Sequence, residues 1–326
     1  MARVAMVEAV TMALAWELEH DNSVVVLGED VGINGGVFRA TAGLAQRFGD
    51  ERVLDTPLAE TMIAGLSVGM ATQGMKPVAE AQFMGFILPM VDHMMCHAGR
   101  MRHRTRGRLT CPMVLRAPYG GGIHAPEHHS ESTEALFAHM PGIRVVIPSS
   151  PSRAYGLLLA AIRDPDPVVF LEPKRIYRLN KEEVEDNGED LPLDVCYVLR
   201  DGTDLTLVTW GAMVKETLEA ADKLAEKGIS AEVIDVATIS PLDMDTIIES
   251  VQKTGRCVIV HEAVRMCGVG AEIAAGLADA GLYHLYAPVK RVTGYDSVMP
   301  LYKMEMKYMP SVQRILNAVD EVLEVS

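Results

Sequence analysis

Short runs of β-branched and apolar residues alternate with helical patterns along almost the whole of this 326-residue chain. Such alternation is typical of parallel sheets that are covered by helices on both faces. It therefore predicts an α/β fold in which each sheet is mostly parallel. The predicted strands are residues 24–27, 77–81, 113–116, 144–147, 168–172, 205–209, 231–236 and 257–261.

The predicted helices carry apolar side chains three and four positions apart, which is the spacing of one buried helix face. The N-terminal sequence reads directly into the first of them. The others are residues 60–73, 86–104, 214–227, 244–254, 270–280 and a closing amphipathic helix over 312–323.

An acidic segment at residues 180–204 interrupts the alternation and has little apolar periodicity before one short apolar run at 195–199. This composition is typical of a linker. We therefore predict a first α/β domain over residues 1–185, a linker over 186–203 and a second α/β domain over 204–326. The length is sufficient for two domains that each bury a core.

The formal net charge of −14 argues against a nucleic-acid partner and against an anionic membrane surface, because both would repel the chain. The five cysteines form no CxxC pair, which favours reduced thiols and a cytoplasmic location. No apolar run approaches the length of a membrane-spanning helix. These features favour an enzyme or an enzyme subunit.

One carboxylate, Glu60, lies in the first turn of a very apolar predicted helix. Thr56 can cap this helix and Pro57 suits its first position, so a capping box would place its acid at Ala59. A favourable interaction of Glu60 with the helix dipole is the simpler explanation. The functional explanation is that apolar neighbours exclude water from the acid and favour its protonated form, as proton-handling carboxylates require. Those neighbours are Leu58, Met62, Ile63 and Leu66.

A second candidate is the segment 119–132, in which three consecutive glycines are followed by His124, His128 and His129. The glycines make a flexible loop that allows close approach of the backbone, and such a loop can hold an imidazole over a substrate. Metal binding by these histidines and Glu127 is the alternative, although their spacing matches no standard zinc signature.

Two further motifs have structural explanations. The sequence Gly268-Val-Gly270 follows an apolar run and loosely resembles a dinucleotide-binding fingerprint, but the third glycine is absent and a helix start is the favoured explanation. The sequence Ala161-Ile-Arg-Asp-Pro-Asp-Pro ends a helix and leaves free carbonyl groups beside Asp164 and Asp166.

Ten short motifs occur in one order along the chain and together carry a family resemblance. They are Gly28-Glu-Asp-Val-Gly32, Gly35-Gly-Val-Phe-Arg39, Asp55-Thr-Pro-Leu-Ala-Glu60, Pro77-Val-Ala-Glu80, Gln82-Phe83, Gly120-Gly-Gly122, His129-Ser130, Pro141-Gly142, Val145-Val-Ile-Pro-Ser149 and Glu172-Pro-Lys-Arg-Ile-Tyr-Arg178. From Val7 to the closing helix, the chain resembles the β subunit of the thiamine-diphosphate-dependent 2-oxo acid dehydrogenase E1 component. The resemblance implies a transketolase-like pyrimidine-binding fold followed by a transketolase C-terminal-like fold.

The resemblance also implies a mechanism. In this family a carboxyl group hydrogen-bonds the far ring nitrogen of the cofactor's aminopyrimidine, which then removes the thiazolium proton. Glu60 matches that carboxyl group. Phe86 matches the aromatic residue that packs on the pyrimidine face, and Leu58 and Gln82 match residues that line the ring pocket. His129 matches the histidine that faces the substrate and assists proton transfer or reductive acylation.

The family resemblance is less complete at two further places. Asp164 and Asp166, with the carbonyl group of Ala161, fall where family members hold a structural potassium ion. Glu131 stands where most relatives have glutamine, so the loop gains a negative charge whose effect on substrate choice is open.

The Gly-Asp-Gly…Asn motif that holds magnesium and the diphosphate in this superfamily is absent from the sequence. In the family it lies on a separate α subunit, so the resemblance implies an α2β2 heterotetramer and activity only with that subunit.

The expected reaction is oxidative decarboxylation of pyruvate and acylation of the lipoyl domain of the E2 acyltransferase core. A branched-chain 2-oxo acid is a near-equal second substrate, and an acetoin dehydrogenase β subunit is an alternative. A dinucleotide-binding oxidoreductase and a silent scaffold of the same fold are further alternatives.

Overall fold

A computed structural model describes residues 2–325 of the chain. These residues divide into two units. The first consists of the described residues up to Tyr119 together with Leu136–Leu193, and the second consists of Gly120–Ala135 together with the described residues from Asp194 onward. The predicted first domain, residues 1–185, includes residues 120–135, whereas the structure groups these residues with the second unit.

The first unit contains eight described strands, six of which follow one another in a parallel sheet. The strands are β1 (Ala2–Ala5), β2 (Val24–Gly28), β3 (Val53–Asp55), β4 (Lys76–Glu80), β5 (Val114–Tyr119), β6 (Arg144–Val146), β7 (Val168–Pro173) and β8 (Lys181–Val184). The parallel order is β6-β7-β5-β4-β2-β3. Every residue of β2, β5 and β7 is buried, so both faces of this sheet are covered.

Of the first six described helices, five lie in this unit, and the fifth along the chain crosses the boundary between the units. The six helices are α1 (Met6–His20), α2 (Leu44–Phe48), α3 (Glu60–Thr72), α4 (Met101–Arg104), α5 (Glu134–Ala138) and α6 (Pro151–Arg163). Helix α6 has a local start signal: Ser150 accepts a hydrogen bond from the backbone N–H of Arg153, and Pro151 occupies the first turn.

The second unit has its own sheet in the order β14-β13-β10-β11-β9, parallel except for the antiparallel edge strand β9. The strands of this unit are β9 (Tyr197–Arg200), β10 (Leu205–Thr209), β11 (Ala231–Asp235), β12 (Thr238–Ser240), β13 (Cys257–Val260) and β14 (Lys290–Val292), and β12 lies outside the five-stranded sheet. Its helices are α7 (Met213–Ala225), α8 (Met244–Thr254), α9 (Val269–Ala280), α10 (Tyr302–Tyr308) and α11 (Val312–Leu323). The predicted α/β fold with mostly parallel sheets is confirmed.

The prediction that the N-terminus runs directly into a helix is wrong. The described residues begin with strand β1, which pairs antiparallel with β8 so that Arg3 is opposite Glu183. Both strands are four residues long, and their partners are about 180 positions apart in sequence. Local periodicity carries no signal for a pairing of this kind, because neither strand has the alternation of a half-buried strand.

The single helix predicted over residues 86–104 is also wrong. The structure has 3-10 turns at Met84–Phe86 and Leu88–Met90, a π-helical turn at His93–His97, a 3-10 turn at Ala98–Arg100 and then α4. Pro89 donates no backbone hydrogen bond, and a π turn widens the helix locally. Ile87, Met90 and Met94 are nevertheless fully buried. Val91 is half-buried and Met95 is 39% exposed, so the apolar spacing identified the buried face only in part and did not identify the kind of helical turn.

None of the helices within residues 2–325 combines the length and the apolar character that crossing a membrane requires.

Candidate active site

The candidate residues of the first unit follow the carboxyl ends of neighbouring parallel strands. Strand β2 is followed by Glu29, β3 by the segment that leads to Glu60, and β4 by Gln82. Because parallel strands end at one edge of a sheet, these loops share that edge, where ligands bind in open α/β sheets. The sequence motifs singled out above therefore converge for a topological reason.

Glu60 is the first residue of helix α3, and Ala59 occupies the N-cap position without a side-chain cap. The predicted cap at Thr56 with Pro57 in the first turn is wrong. Thr56 instead extends the chain beyond β3, where its backbone N–H donates to the carbonyl of Gly28 at 2.9 Å. Its hydroxyl group is buried and has no hydrogen-bond partner within residues 2–325. The helix consequently presents the half-exposed Glu60 at its positive end.

The segment that carries Phe86 lies beside helix α3. The hydroxyl of Thr61 donates to the carbonyl of Pro89 at 3.3 Å, and the ring of His93 packs against Gly65. Phe86 is half-buried and meets the ring of Phe83 edge-on, with 5.9 Å between ring centroids. These contacts place the segment that follows Phe86 against the first two turns of α3, the helix that begins at Glu60.

The apolar surroundings predicted for Glu60 are not formed by this chain alone. Ile63 is buried, but the side chains of Leu58, Met62 and Leu66 are 71%, 41% and 41% exposed. The expectation that these residues desolvate the acid is therefore wrong for the isolated chain. Leu58, Met62 and Leu66 instead leave exposed apolar surface before and along the first half of α3, the helix that begins at Glu60.

A second carboxyl group, Glu29, lies close enough to Glu60 to respond to its charge. Partial burial raises the pKa of Glu29, and the charges of Asp30 and Glu60 raise it further. Sequence analysis assigned no role to Glu29. Its position directly after β2, at the same sheet edge as Glu60, was the signal that could have identified it.

Beneath this edge, Arg116 joins three strands through buried charges. Its guanidinium group binds both carboxylate oxygens of Glu172, at 2.7 and 2.9 Å, and also contacts Glu80. The hydroxyl of Tyr177 donates to Glu172. Burial opposes the charge of Arg116, but the two carboxylates raise its pKa overall. The network holds together β4, β5 and β7, and β4 is the strand that Gln82 follows.

The histidine-rich loop belongs to the second unit, where two buried carboxylates hold its glycines. Glu262 accepts a hydrogen bond from the N–H of Gly121 at 3.0 Å, and Glu305 accepts one from the N–H of Gly122 at 2.8 Å. Gly120 has φ +86°, and a Cβ there would lie 2.5 Å from Glu262 Oε1. Glycine is therefore required by both the backbone conformation and the close approach of the carboxylate.

The three histidines of the loop have different environments. His129 ends the short 3-10 turn Glu127–His129 and is half-buried, whereas His128 is exposed. Nδ1 of His124 lies 2.6 Å from Oε2 of the buried Glu305. Within residues 2–325, no group of three or more histidine, cysteine or acidic side chains could hold a metal ion. His124 is thus an anchor of the loop, which its sequence spacing did not reveal.

A buried polar cluster supports the end of this loop. Burial raises the pKa of Glu134 to about 8, and the charge of Glu262 acts in the same direction, while hydrogen bonds from its own backbone and from the Trp210 indole oppose them. Trp210 stacks on His261 with 5.0 Å between ring centroids. Burial and two nearby arginines lower the pKa of His261 to about 3, so this histidine is neutral.

The Gly268-Val-Gly270 motif is explained by packing against His261. Gly268 precedes helix α9, and a Cβ at Gly270 would lie 2.7 Å from His261 Nε2. The glycines therefore allow the helix to start against a buried imidazole ring.

Of the three residues predicted to hold potassium, Ala161 lies in the last turn of α6, and Asp164 and Asp166 follow the end of that helix. Asp164 Oδ1 accepts from the N–H of Asp166 at 2.8 Å and from Arg144 at 3.3 Å. The carboxylate of Asp166 binds Arg102 at 2.8 and 3.1 Å. Both carboxylates therefore have arginine partners, and Ala161 is buried.

Comparison with known proteins gives a consistent result along the whole chain. Residues 2–180 match the family model for the transketolase pyrimidine-binding domain, and residues 195–315 match that for the transketolase C-terminal domain. The chain is similar to proteins named pyruvate dehydrogenase E1 component subunit β. Identity is 50% to that of Bacillus subtilis (strain 168), covering 99% of this chain and 100% of the relative. It is 50% to that of Acholeplasma laidlawii, covering 97% and 96% respectively.

A solved structure described as a split-gene transketolase, an inactive β4 tetramer, is similar in fold. It has a TM-score of 0.77 and 26% sequence identity, with 99% of each chain covered. The similarity therefore extends over both units.

Proposed function

The chain belongs to the transketolase-like family of E1 component β subunits, and from this premise we propose that it serves a pyruvate dehydrogenase E1 component. The observation that carries the proposal is 50% identity, over 99% of the chain, to a relative named as such a subunit. The reaction is oxidative decarboxylation of pyruvate, followed by transfer of the acyl group to a lipoyl domain.

The residues at the sheet edge of the first unit fit the aminopyrimidine half of thiamine diphosphate. That ring has apolar faces and a polar edge, and the chain offers an aromatic ring at Phe86, a carboxyl group at Glu60 and an amide at Gln82. When bound, the cofactor supplies the carbon nucleophile that attacks the 2-oxo group. Glu60 would hold a proton at the far ring nitrogen, Phe86 would pack on the ring face, and Leu58 and Gln82 would line the pocket.

His129 would exchange a proton with the substrate and assist acylation of the lipoyl group. Two buried carboxylates that bind the glycines at the start of its loop support a positioned imidazole. Glu131, where the family resemblance leads us to expect glutamine, would add a negative charge two residues from this histidine.

An α subunit would complete the site and hold magnesium and the diphosphate, in an α2β2 heterotetramer. The exposed side chains of Leu58, Met62 and Leu66 beside Glu60 support a partner surface there. The acylated lipoyl domain would belong to an E2 acyltransferase core. A structural potassium ion at the Ala161 carbonyl, Asp164 and Asp166 stays a prediction, and it would have to share both carboxylates with Arg144 and Arg102.

Co-expression with the α subunit, followed by decarboxylation assays on pyruvate, 2-oxoisovalerate and acetoin, tests the proposal. We expect turnover to be fastest with pyruvate and absent for the chain alone. Calorimetry should find weak or no binding of thiamine diphosphate to the isolated chain. Tight binding there would contradict the divided site, and a clear preference for 2-oxoisovalerate or acetoin would contradict the substrate.

A further inference from the structure

A cavity of about 340 Å³ in the second unit is lined by eight residues, four of which are cationic. It lies beside the edge strand β14 and the helix α11, and it is reached by the loop that follows β13. Its charged lining residues are Arg265, Lys290, Arg291, Arg314 and Glu321. Four cations and one carboxylate give this lining a formal charge of about +3, in a chain whose net charge is −14. The volume is in the range of sites that bind small molecules.

Two of these arginines are held next to each other by neutral acceptors. Nη1 of Arg265 donates to the carbonyl of Arg291 at 3.0 Å, and Nη1 of Arg291 donates to the carbonyl of Arg265 at 3.0 Å. Burial lowers the pKa of Arg291, and the charge of Arg265 lowers it further. The charge of Asp296, whose Oδ1 also accepts the N–H of Met266 at 2.7 Å, opposes this effect. The pKa of Arg291 is still lowered overall, so Asp296 offsets the two adjacent like charges only in part.

The other two cations are fixed in different ways. Arg314 donates to the carbonyls of Tyr308, Met309 and Thr293 and stacks over the ring of Tyr295 at 4.7 Å. Lys290 contacts the only carboxylate of the lining, Glu321, at 2.5 Å. Within residues 2–325, Arg265, Arg291 and Arg314 form no ion pair with an acidic side chain. Three guanidinium groups are thus oriented by carbonyls, with further N–H donors left over.

We propose that this cavity binds the phosphate group of a small anionic ligand. Guanidinium groups present a rigid fork of donors that matches phosphate oxygens, and their weak hydration lowers the cost of that contact. A bound dianion would also remove the repulsion between Arg265 and Arg291. Arginines already oriented by backbone carbonyls lose little freedom on binding.

Titration calorimetry on the full chain with pyrophosphate, at constant ionic strength, tests the proposal. We expect Arg265→Gln and Arg291→Gln each to weaken pyrophosphate binding by about ten-fold or more, because each removes a charge-assisted contact. The matched control is Arg200→Gln, which removes the same charge from β9 at the opposite edge of the same sheet and should change the affinity less than two-fold.

Arg265 is exposed and contacts only a carbonyl, so its variant keeps the test decisive if Arg291→Gln does not fold. Failure of the native chain to bind pyrophosphate, or equal affinities of the native chain and Arg265→Gln, would overturn the proposal. Tighter binding of hexaglutamate than of pyrophosphate would also overturn it, since the cavity would then suit an acidic protein segment.

Discussion

The carboxylate of Glu305 contacts His124 at two points. Its Oε2 accepts a hydrogen bond from the backbone N–H of His124 at 3.0 Å and lies 2.6 Å from Nδ1 of the same residue. The two residues are 181 positions apart. Glu305, a residue of α10, is buried and also accepts a hydrogen bond from Gly122. It therefore fixes the start of the loop that carries His129.

Glu305→Gln should loosen this loop, because an amide has one acceptor oxygen where the carboxylate has two. We expect the free energy of unfolding to fall by about 1–3 kcal/mol. Turnover of the assembled complex should fall more than its affinity for thiamine diphosphate. Glu219→Gln, at an exposed ion pair with Lys215 on α7, is the matched control. A variant with native stability and native turnover would show that the contact does not position the loop.

His129→Ala should lower turnover of the complex by roughly 10²-fold or more, the usual range for a positioned acid or base, with a smaller effect on cofactor affinity. The adjacent, exposed His128 provides the control, and His128→Ala should be tolerated. His124→Ala is not a neutral control, since it removes the contact with Glu305. If His128→Ala abolished turnover while His129→Ala left it normal, the catalytic role would belong to His128 instead.

Glu134→Gln should change how stability depends on pH. Burial raises the pKa of Glu134 from 4.5 to about 8, so the folded state keeps a proton that the unfolded state releases. The stabilising contribution is fully present below about pH 4.5 and is lost as pH rises through 8. Relative to the native protein, the free energy of unfolding of the variant should therefore rise between pH 5 and 8, by at most about 1.4 kcal/mol per pH unit. Denaturant unfolding of both proteins at four pH values measures this difference. If the free energy of unfolding of the two proteins changed with pH in parallel, the prediction would be contradicted.

Arg116→Lys should destabilise the first unit strongly. Lysine cannot bind Glu172 through two parallel hydrogen bonds and also contact Glu80, so buried charge would lose partners. We expect a cost of about 3–5 kcal/mol, by analogy with other broken buried pairs. Arg102→Lys, at a partly exposed pair with Asp166, should cost less than about 1 kcal/mol. Similar melting temperatures for the two variants would contradict the structural role of Arg116.

Local signals in the sequence were sufficient for several elements. The predicted strand 205–209 and the predicted helix 244–254 agree with β10 and α8 to the residue. For α8 the reason is local: Asp243 caps its start through the N–H of Thr246, and Gly255 ends it in the left-handed conformation.

Contacts between distant residues could not be predicted in this way. Glu262 and Glu305 are ordinary acids in the sequence, and only the fold brings them to the glycines at 120–122. The pairing of β1 with β8 has the same origin. The surroundings of Glu60 were misjudged for a different reason. An apolar residue such as Leu58 predicts burial, but the sequence does not say whether this chain or a partner provides it.

The most direct test of the account is the decarboxylation rate of the α2β2 complex carrying Glu60→Gln, saturated with thiamine diphosphate. Because glutamine cannot deliver the proton to the pyrimidine nitrogen, we predict a fall of roughly 10²-fold or more. Stability should change by at most about 1 kcal/mol, the size of a helix-dipole contribution. Glu51→Gln, at an exposed acid before β3, should leave the rate unchanged. A Glu60→Gln complex that retains most of its turnover would contradict the central claim that Glu60 handles the proton.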